Sequence, residues 1–215
     1  MLPAGAWVPG GSGDDPALNG TADRNSIFGL AGNDTMRGEA GDDWLYGAAG
    51  DDVAIGGTGN DWLEDRGGGS DTYRLERGDG SDLVLDTGAV DDVDRVVFGP
   101  GIAPTDVLVS LQGNGHDLSL VVRNAAGEAV GDEVRVLSWG DDNGTGRIER
   151  VEFADGTAWS DAQIDAWLAG AAPLSVAGIA DASAAFAMAS DDPGLQIHAM
   201  RWDDAGKPLP LERLA

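Results

Sequence analysis

The stretch GLAGNDTMRGEAGDDWLYGAAGDDVAIGGTGNDWLE, residues 29–64, is built from nonapeptides that follow one another without a gap. Each begins with Gly and carries Gly, then Asn or Asp, then Asp at positions four to six: GLAGNDTMR (29–37), GEAGDDWLY (38–46), GAAGDDVAI (47–55) and GGTGNDWLE (56–64). Less regular copies flank them: GGSGDDPAL (10–18), GTADRNSIF (20–28), RGGGSDTYR (66–74) and RGDGSDLVL (77–85). The repeat therefore extends over about residues 10–86.

Each nonapeptide combines a turn with a strand. Its six positions rich in Gly, Asn and Asp favour a tight turn, because these residues tolerate a positive φ. The other three place one apolar residue between two others, which is typical of a short strand. Two repeats then form one coil of about 18 residues, and the eighth-position side chains point inward: Ile27, Met36, Leu45, Ala54, Leu63, Tyr73 and Val84. Since one repeat cannot bury this face alone, the pattern predicts a mostly all-β fold of stacked coils.

The sixth-position side chains fall into two columns on opposite edges of such a stack. One column has Asp34, Asp52 and Asp71, and the other has Asn25, Asp43, Asp61 and Asp82. Carboxylates stacked about 5 Å apart repel each other unless a hard cation lies between successive turns. Carboxylates and backbone carbonyls are the oxygen ligands that Ca²⁺ takes, at a coordination number of about six to eight. The fifth-position side chains are expected in solvent: Asn33, Asp42, Asp51 and Asn60.

The composition also favours cations as partners. The 215 residues include 38 acidic and 13 basic ones, which gives a formal net charge of −25. Such a chain repels phosphate backbones and anionic lipids, so we expect neither nucleic-acid binding nor membrane insertion. With no cysteine, disulfides, zinc–thiolate sites and a cysteine nucleophile are excluded. The N-terminus lacks the pattern of a cleaved export signal, and no apolar run approaches the roughly 20 residues of a membrane span.

The nonapeptides resemble the calcium-binding repeats of the repeats-in-toxin (RTX), or haemolysin-type, family. The resemblance implies a parallel β-roll in which Ca²⁺ is held between turns by sixth-position Asp side chains and by turn carbonyls. It implies about four ions. The side-chain ligands it implies are Asp34, Asp43, Asp52, Asp61 and Asp71, with Asp82 and Asn25 at the ends. The glycines it implicates are Gly32, Gly41, Gly50 and Gly59.

The second half predicts a different structure. From about residue 90 the nine-residue period ends, and strand-like runs follow: DRVVF (94–98), VLVSL (107–111), DLSLVVR (117–123), EVRVLSW (133–139) and RIERVEF (147–153). SDAQIDAWLAG (160–170) predicts a short helix with Ser160 as N-cap and Gln163 completing a capping box. We therefore expect a small antiparallel β domain with one short helix, capping strand edges at the open end of the roll.

This half resembles a haemolysin-type calcium-binding-related domain. The resemblance lies in GIAPTDV (101–107), GHDLSLVV (115–122) and IERVEFADGTAW (148–159). The expected domains are a β-roll at 10–90, the related β domain at 91–170 and a C-terminal tail at 171–215. DDNGTG (141–146) is interpreted as a polar turn rather than a further calcium loop.

The C-terminal tail contains a segment that bears on export. ADASAAFAMA (180–189) resembles a segment near the C-terminus of RTX proteins that leave the cell by type I secretion. In that family the export signal is C-terminal and uncleaved, which implies a secreted, extracellular protein and the type I machinery as a partner. An amphipathic helix that docks on the sheet is an equal alternative for this segment.

No catalytic residue is predicted. His116 and His198 are the two histidines of the chain, and neither lies near a G-x-S-x-G, H-E-x-x-H or phosphate-loop motif. The sequence favours a non-enzymatic module that folds when it binds calcium.

Two alternatives stay open. One is a calcium-dependent adhesion or glycan-binding module in which Trp44, Trp62, Trp139 or Trp159 faces the ligand. The other is the C-terminal fragment of a larger secreted enzyme or toxin. For Trp44 and Trp62, which are 18 residues apart and so share an outer face, packing against the rest of the chain is the favoured interpretation.

Overall fold

The structure is a computed structural model that describes residues 6–88, 92–112, 115–124, 126–140 and 147–170. Its first part is a coil of short strands that alternate between two facing sheets. In chain order these strands are β1 (Ala6–Pro9), β2 (Leu18–Thr21), β3 (Asn25–Ala31), β4 (Thr35–Ala40), β5 (Trp44–Ala49), β6 (Val53–Thr58), β7 (Trp62–Asp65), β8 (Thr72–Leu75), β9 (Ser81–Asp86) and β10 (Arg95–Phe98).

The odd-numbered strands β1 to β9 pair in parallel as one sheet, and the even-numbered strands β2 to β10 pair in parallel as the other. We call these the odd sheet and the even sheet. Equivalent repeat positions lie opposite each other, so Leu45 pairs with Leu63 in the odd sheet and Met36 with Ala54 in the even sheet. The predicted parallel β-roll, with two repeats per coil, is confirmed over residues 7–98.

The eighth-position side chains form the core between the two sheets. Ile27, Leu45 and Val84 are fully buried, and Met36 is 1% exposed. Ala54, Leu63 and Tyr73 complete the row at 5% exposed or less. The inward orientation predicted for this position is therefore confirmed.

The strands are longer than the three residues that the repeat pattern predicts. β6, for example, runs through positions seven to nine of one repeat and the first three positions of the next. A positive φ at positions two and four shapes the bend, and glycine supplies it at position four. At position two, Leu30, Glu39 and Ala48 have φ of 80°, 78° and 81°.

The strands after residue 98 extend both sheets of the roll. They are β11 (Val107–Leu111), β12 (Leu118–Arg123), β13 (Ala129–Val136), β14 (Arg150–Phe153) and β15 (Ala158–Ser160), with a 3₁₀ turn at Pro104–Asp106. β13 lies parallel to β9, and β12 and β11 follow it antiparallel at the edge of the odd sheet. β14 lies parallel to β10 and carries the antiparallel β15. The predicted antiparallel strands are present, but they continue the sheets of the roll.

The predicted helix is confirmed as α1 (Asp161–Leu168). Ser160 Oγ accepts from the Gln163 backbone N–H at 3.2 Å, and Gln163 Oε1 accepts from the Ser160 N–H at 2.8 Å. This is the capping box that the sequence predicts. In the part of the chain that the structure describes, no helix is long and apolar enough to cross a membrane.

An aromatic cluster closes the core beneath the helix. Phe153 stacks on Phe98 at 5.3 Å and meets Trp159 edge-on at 4.6 Å. Trp139 is 2% exposed, and its indole N–H donates to Asp165 Oδ1 at 3.1 Å. The hypothesis that Trp139 or Trp159 faces a ligand is therefore wrong, because both side chains are buried in the core. DDNGTG (141–146) and the tail at 171–215 lie outside the described residues.

Candidate metal centre

The sixth-position residues lie where the turns along each edge of the roll enter a strand. Turns that lead from the odd to the even sheet form what we call the first edge, with Asp34, Asp52 and Asp71. Turns that lead back form the second edge, with Asn25, Asp43, Asp61 and Asp82. The structure thus places all seven residues in the two columns that the spacing predicts.

A ladder of hydrogen bonds joins each column. Asp71 Oδ1 accepts from the Asp52 backbone N–H at 2.7 Å, and Asp52 Oδ1 accepts from the Asp34 N–H at 2.8 Å. On the second edge, each backbone N–H likewise donates to Oδ1 of the next column residue. These bonds join Asn25 to Asp43 at 2.6 Å, Asp43 to Asp61 at 2.8 Å and Asp61 to Asp82 at 3.0 Å. One oxygen of each acceptor carboxylate is thereby fixed by the preceding coil.

The second oxygen is left buried without a partner in both columns. This holds for Oδ2 of Asp34, Asp43, Asp52, Asp61 and Asp71, whose side chains are 1–3% exposed. A buried carboxylate oxygen without a partner is strongly unfavourable, so such a row needs an explanation. Asn25 differs, because its Oδ1 accepts from the Thr21 N–H at 2.5 Å within its own turn.

First-position glycines leave space beside these oxygens. A Cβ atom built on Gly29 would lie 2.6 Å from Asp34 Oδ2 and 2.8 Å from the Gly47 carbonyl oxygen. A Cβ on Gly38 would crowd Asp43 Oδ2 and the Gly56 carbonyl in the same way. Each space therefore lies between a carboxylate and a carbonyl of the next coil. Oxygens of both kinds are the donors that Ca²⁺ prefers, so the residues present fit a calcium ion.

Fourth-position glycines allow the coils to stack closely. Gly32, Gly41, Gly50 and Gly59 have φ between 106° and 151°. A Cβ on Gly50 would clash with the Gly32 carbonyl oxygen, and a Cβ on Gly59 would clash with that of Gly41. These carbonyl oxygens thus face the next coil, at the contact between successive turns.

Burial opposes the charge of the columns. It raises the pKa of Asp52 to about 7, and the negative charges of Asp34 and Asp65 add to the shift. Burial is also the main cause of the raised pKa values of Asp43 (about 6), Asp61 (about 7), Asp71 (about 9) and Asp82 (about 8). The pKa of Asp34 is raised for the same reason. The ion-free fold therefore favours neutral carboxyls, whereas a divalent cation would stabilise the charged form.

Fifth-position side chains form a separate, exposed ladder. Asn33 Oδ1 accepts from the Asp51 N–H at 3.0 Å, and Asp51 Oδ1 accepts from the Ser70 N–H at 2.9 Å. Asp51 and Asn60 are exposed, as the sequence predicts for this position.

The structure adds carboxylates that sequence reasoning missed. Asp94 Oδ1 accepts from the Asp71 N–H at 2.8 Å, and Glu149 Oε2 accepts from the Asp94 N–H at 2.7 Å, so both extend the first-edge column. Asp65 and Asp86 also lie on this edge and form two three-carboxylate groups with column residues. The nine-residue period could not find these residues, because Asp65 is an insertion between two repeats and the other three lie beyond the last repeat.

Two stretches of the sequence match known protein-family profiles. The sequence profile of the RTX calcium-binding nonapeptide repeat matches residues 19–54, 28–63 and 46–82. The chain contains RTX calcium-binding repeats. The profile of the haemolysin-type calcium binding protein related domain matches residues 117–163, downstream of the RTX roll. Both resemblances predicted from the sequence are confirmed.

The chain also aligns with a solved structure. The solution structure of the AlgE6R3 subunit from the Azotobacter vinelandii mannuronan C5-epimerase is 26% identical, over 85% of this chain and 93% of that chain. The TM-score is 0.31, which is too low to support a structural or functional conclusion. No curated protein sequence matches the chain.

Proposed function

We propose that this chain is a non-enzymatic module whose roll folds when Ca²⁺ binds between successive turns. The row of buried, unpartnered Oδ2 atoms carries the proposal. About four ions would be held by Asp34, Asp43, Asp52, Asp61 and Asp71, with Asp82 and Asn25 at the ends and turn carbonyls of Gly32, Gly41, Gly50 and Gly59.

The energy of binding is large enough to control folding. Extracellular calcium modules commonly have dissociation constants of about 10⁻⁴ to 10⁻³ M. At a calcium concentration ten times the dissociation constant, each site stabilises the fold by about 1.4 kcal/mol. Four such sites contribute about 6 kcal/mol, which is comparable to the whole stability of a small domain. Without calcium, the net charge of −25 opposes compaction.

Such a switch suits export in an unfolded state. A chain whose roll is unfolded at low cytosolic Ca²⁺ can be threaded through a secretion channel and can fold outside. We therefore propose an extracellular location and the type I machinery as partner, supported by the RTX repeats and by the resemblance of ADASAAFAMA (180–189) to an export segment.

Circular dichroism tests the proposal directly. The purified chain in EDTA is titrated with CaCl₂ and, separately, with MgCl₂. We expect a cooperative gain of β-structure near millimolar Ca²⁺ and none with Mg²⁺, which demands a rigid octahedral site. A chain that is already folded in EDTA and does not respond to Ca²⁺ would contradict the proposal.

A second candidate function is supported by aromatic side chains on the outer face of the odd sheet. Trp7 is 66% exposed and stacks on Phe28 at a centroid distance of 4.4 Å. Phe28 also contacts Trp44 and Tyr46, at 6.0 and 6.1 Å. Trp62 is the register partner of Trp44 on the next strand. An exposed aromatic platform of this kind can stack against sugar rings, so it supports calcium-dependent glycan binding.

A polysaccharide array in CaCl₂ tests this second function. If the platform binds glycans, Trp7→Ala should abolish binding while the calcium-induced circular dichroism signal stays unchanged. Val130→Ala is the matched control, because it shortens another exposed apolar side chain of the odd sheet. Equal binding by both variants would exclude the platform.

A further inference from the structure

Toward the C-terminal end of the roll, the first edge carries carboxylates at positions where earlier coils have glycine. Gly29 and Gly47 occupy the first position of their repeats, and β5 pairs with β7 so that Asp65 follows Gly47 one coil later. Asp86 pairs directly with Asp65 one coil further. On the second edge, Gly38 and Gly56 are followed in register by Leu75 and then Phe98, which carry no charge. Carboxylates thus replace the first-position glycines on one edge only.

These two carboxylates complete two clusters. Ligand oxygens of Asp52, Asp65 and Asp71 all lie within 4.8 Å of one another, and so do those of Asp71, Asp86 and Asp94. All five side chains are 4% exposed or less. A small cavity lies at the first cluster, lined by Gly47, Asp52, Asp65, Asp71 and Tyr73.

The clusters contain oxygens that lack a partner. Oδ2 of Asp52 and Oδ2 of Asp71 are buried and accept no hydrogen bond. A Cβ on Gly47 would lie within about 2.5 Å of both Asp52 Oδ2 and Asp65 Oδ2, so these two oxygens border the same space. Within the described part of the chain, no basic side chain forms an ion pair with a carboxylate of either cluster.

Hydrogen bonds from neutral donors hold Asp65 and Asp86 in position. Asp65 Oδ1 accepts from the Gly67 N–H at 2.7 Å, and its Oδ2 accepts from the Ala48 N–H at 2.7 Å. Asp86 Oδ2 accepts from the Tyr73 hydroxyl at 2.7 Å. A carboxylate oxygen has two lone pairs, so each can accept one such bond and still bind a cation.

We propose that these clusters are two calcium sites of a second kind, each with three carboxylates and with Asp71 common to both. They bind Ca²⁺ more tightly than sites with sixth-position aspartates alone, because calcium affinity rises with the number of charged ligands. This inference rests on the proposed function, since it assigns extra ligands to the same roll. The C-terminal part of the first edge therefore fills first during a calcium titration.

The test is a Ca²⁺ titration of the full chain against a chromophoric chelator, with Asp65→Asn and Asp86→Asn as variants. We expect each variant to bind at its own cluster about tenfold more weakly, while the weaker class of sites is unchanged. Asp51→Asn is the matched control: it removes a charge from an exposed carboxylate of the same edge and keeps the Oδ1 acceptor for the Ser70 N–H. It should bind like the natural chain.

Two outcomes overturn the inference, and they are distinguishable. If the natural chain binds Ca²⁺ and folds, but Asp65→Asn and Asp86→Asn titrate like Asp51→Asn, the three-carboxylate sites are wrong and the proposed function stands. If the natural chain binds no Ca²⁺, both fail. Should Asp65→Asn not fold, Asp65→Gly restores the first-position glycine of the earlier repeats and should show the same weakened site. Retention of the tight site in Asp65→Gly would equally overturn the inference.

Discussion

Asp71 Oδ1 accepts a hydrogen bond from the Asp52 backbone N–H at 2.7 Å, while its Oδ2 is buried with no partner. The same division recurs at Asp52 relative to Asp34, and at Asp61 relative to Asp43. One oxygen therefore serves the stacking of coils and the other is left for a cation. Folding and calcium binding use the same side chain, which explains how an ion could control the assembly of the roll.

Replacing column aspartates should weaken the calcium response. Asp52→Asn and Asp61→Asn each keep an oxygen for the ladder but replace a charged ligand with a neutral amide. We expect the double variant to raise the calcium midpoint of folding about tenfold or more, measured by circular dichroism. Asp155→Asn removes the same charge from an exposed turn outside the roll and should leave the midpoint unchanged. Equal midpoints for all variants would count against these ligands.

Low pH should partly replace calcium in stabilising the fold. The pKa of Asp52 and of Asp61 is about 7 in the ion-free fold, raised from 3.8 mainly by burial. Between pH 3.8 and about pH 7, the folded chain binds more protons than the unfolded chain. The stability of the fold therefore falls as pH rises through this range. We therefore expect the chain in EDTA to be most stable near pH 4 and to lose stability as pH rises to about 7. Circular dichroism in EDTA between pH 4 and pH 7 measures the change as a loss of β-structure; a gain of β-structure as pH rises would contradict the assignment.

Substitution at two turn positions should affect the free energy of unfolding to different extents. Leu30 has φ of 80°, a conformation that disfavours L-residues, so Leu30→Gly should change stability by less than about 1 kcal/mol. Gly41 has φ of 106°, and an added Cβ would lie 2.9 Å from the backbone nitrogen of Arg24. Gly41→Ala should therefore cost about 2 kcal/mol or more. Urea unfolding in saturating CaCl₂ compares the two, and similar losses would argue against this turn geometry.

The buried Tyr73 hydroxyl should contribute to stability through Asp86. Tyr73 is 3% exposed, and Tyr73→Phe keeps its ring in the core while it removes the donor to Asp86 Oδ2. Hydrogen bonds to charged groups contribute about 1.5–3 kcal/mol, so we expect a loss of that order in urea unfolding with Ca²⁺ present. Tyr46→Phe, on the outer face of the odd sheet, should have little effect. If Tyr73→Phe leaves the free energy of unfolding unchanged, the hydrogen bond to Asp86 does not stabilise the fold.

Sequence periodicity predicts the regular part of the fold well. The eighth-position core, the two aspartate columns and the capped helix follow from spacing and residue type alone. Asp94 and Glu149 could not be assigned, because they follow their column neighbours by 23 and 55 residues and join the column only through strand pairing. No motif in the sequence indicates that β13 and β14 continue the sheets of the roll. That pairing depends on matching strand edges, which no local motif encodes.

Asp65 illustrates the same limit at the candidate site. In the sequence it is a one-residue insertion between two repeats, whereas in the fold it takes the place of a first-position glycine beside Asp52. Its function depends on the register of β7 against β5 and is invisible to a repeat alignment.

The most direct test of the central claim is a crystal structure of the chain grown in millimolar CaCl₂, with an anomalous difference map. We expect peaks between successive turns, beside the Oδ2 atoms of Asp52, Asp61 and Asp71. A folded roll in millimolar Ca²⁺ with no peaks at these oxygens, or with peaks only at exposed carboxylates, would contradict it.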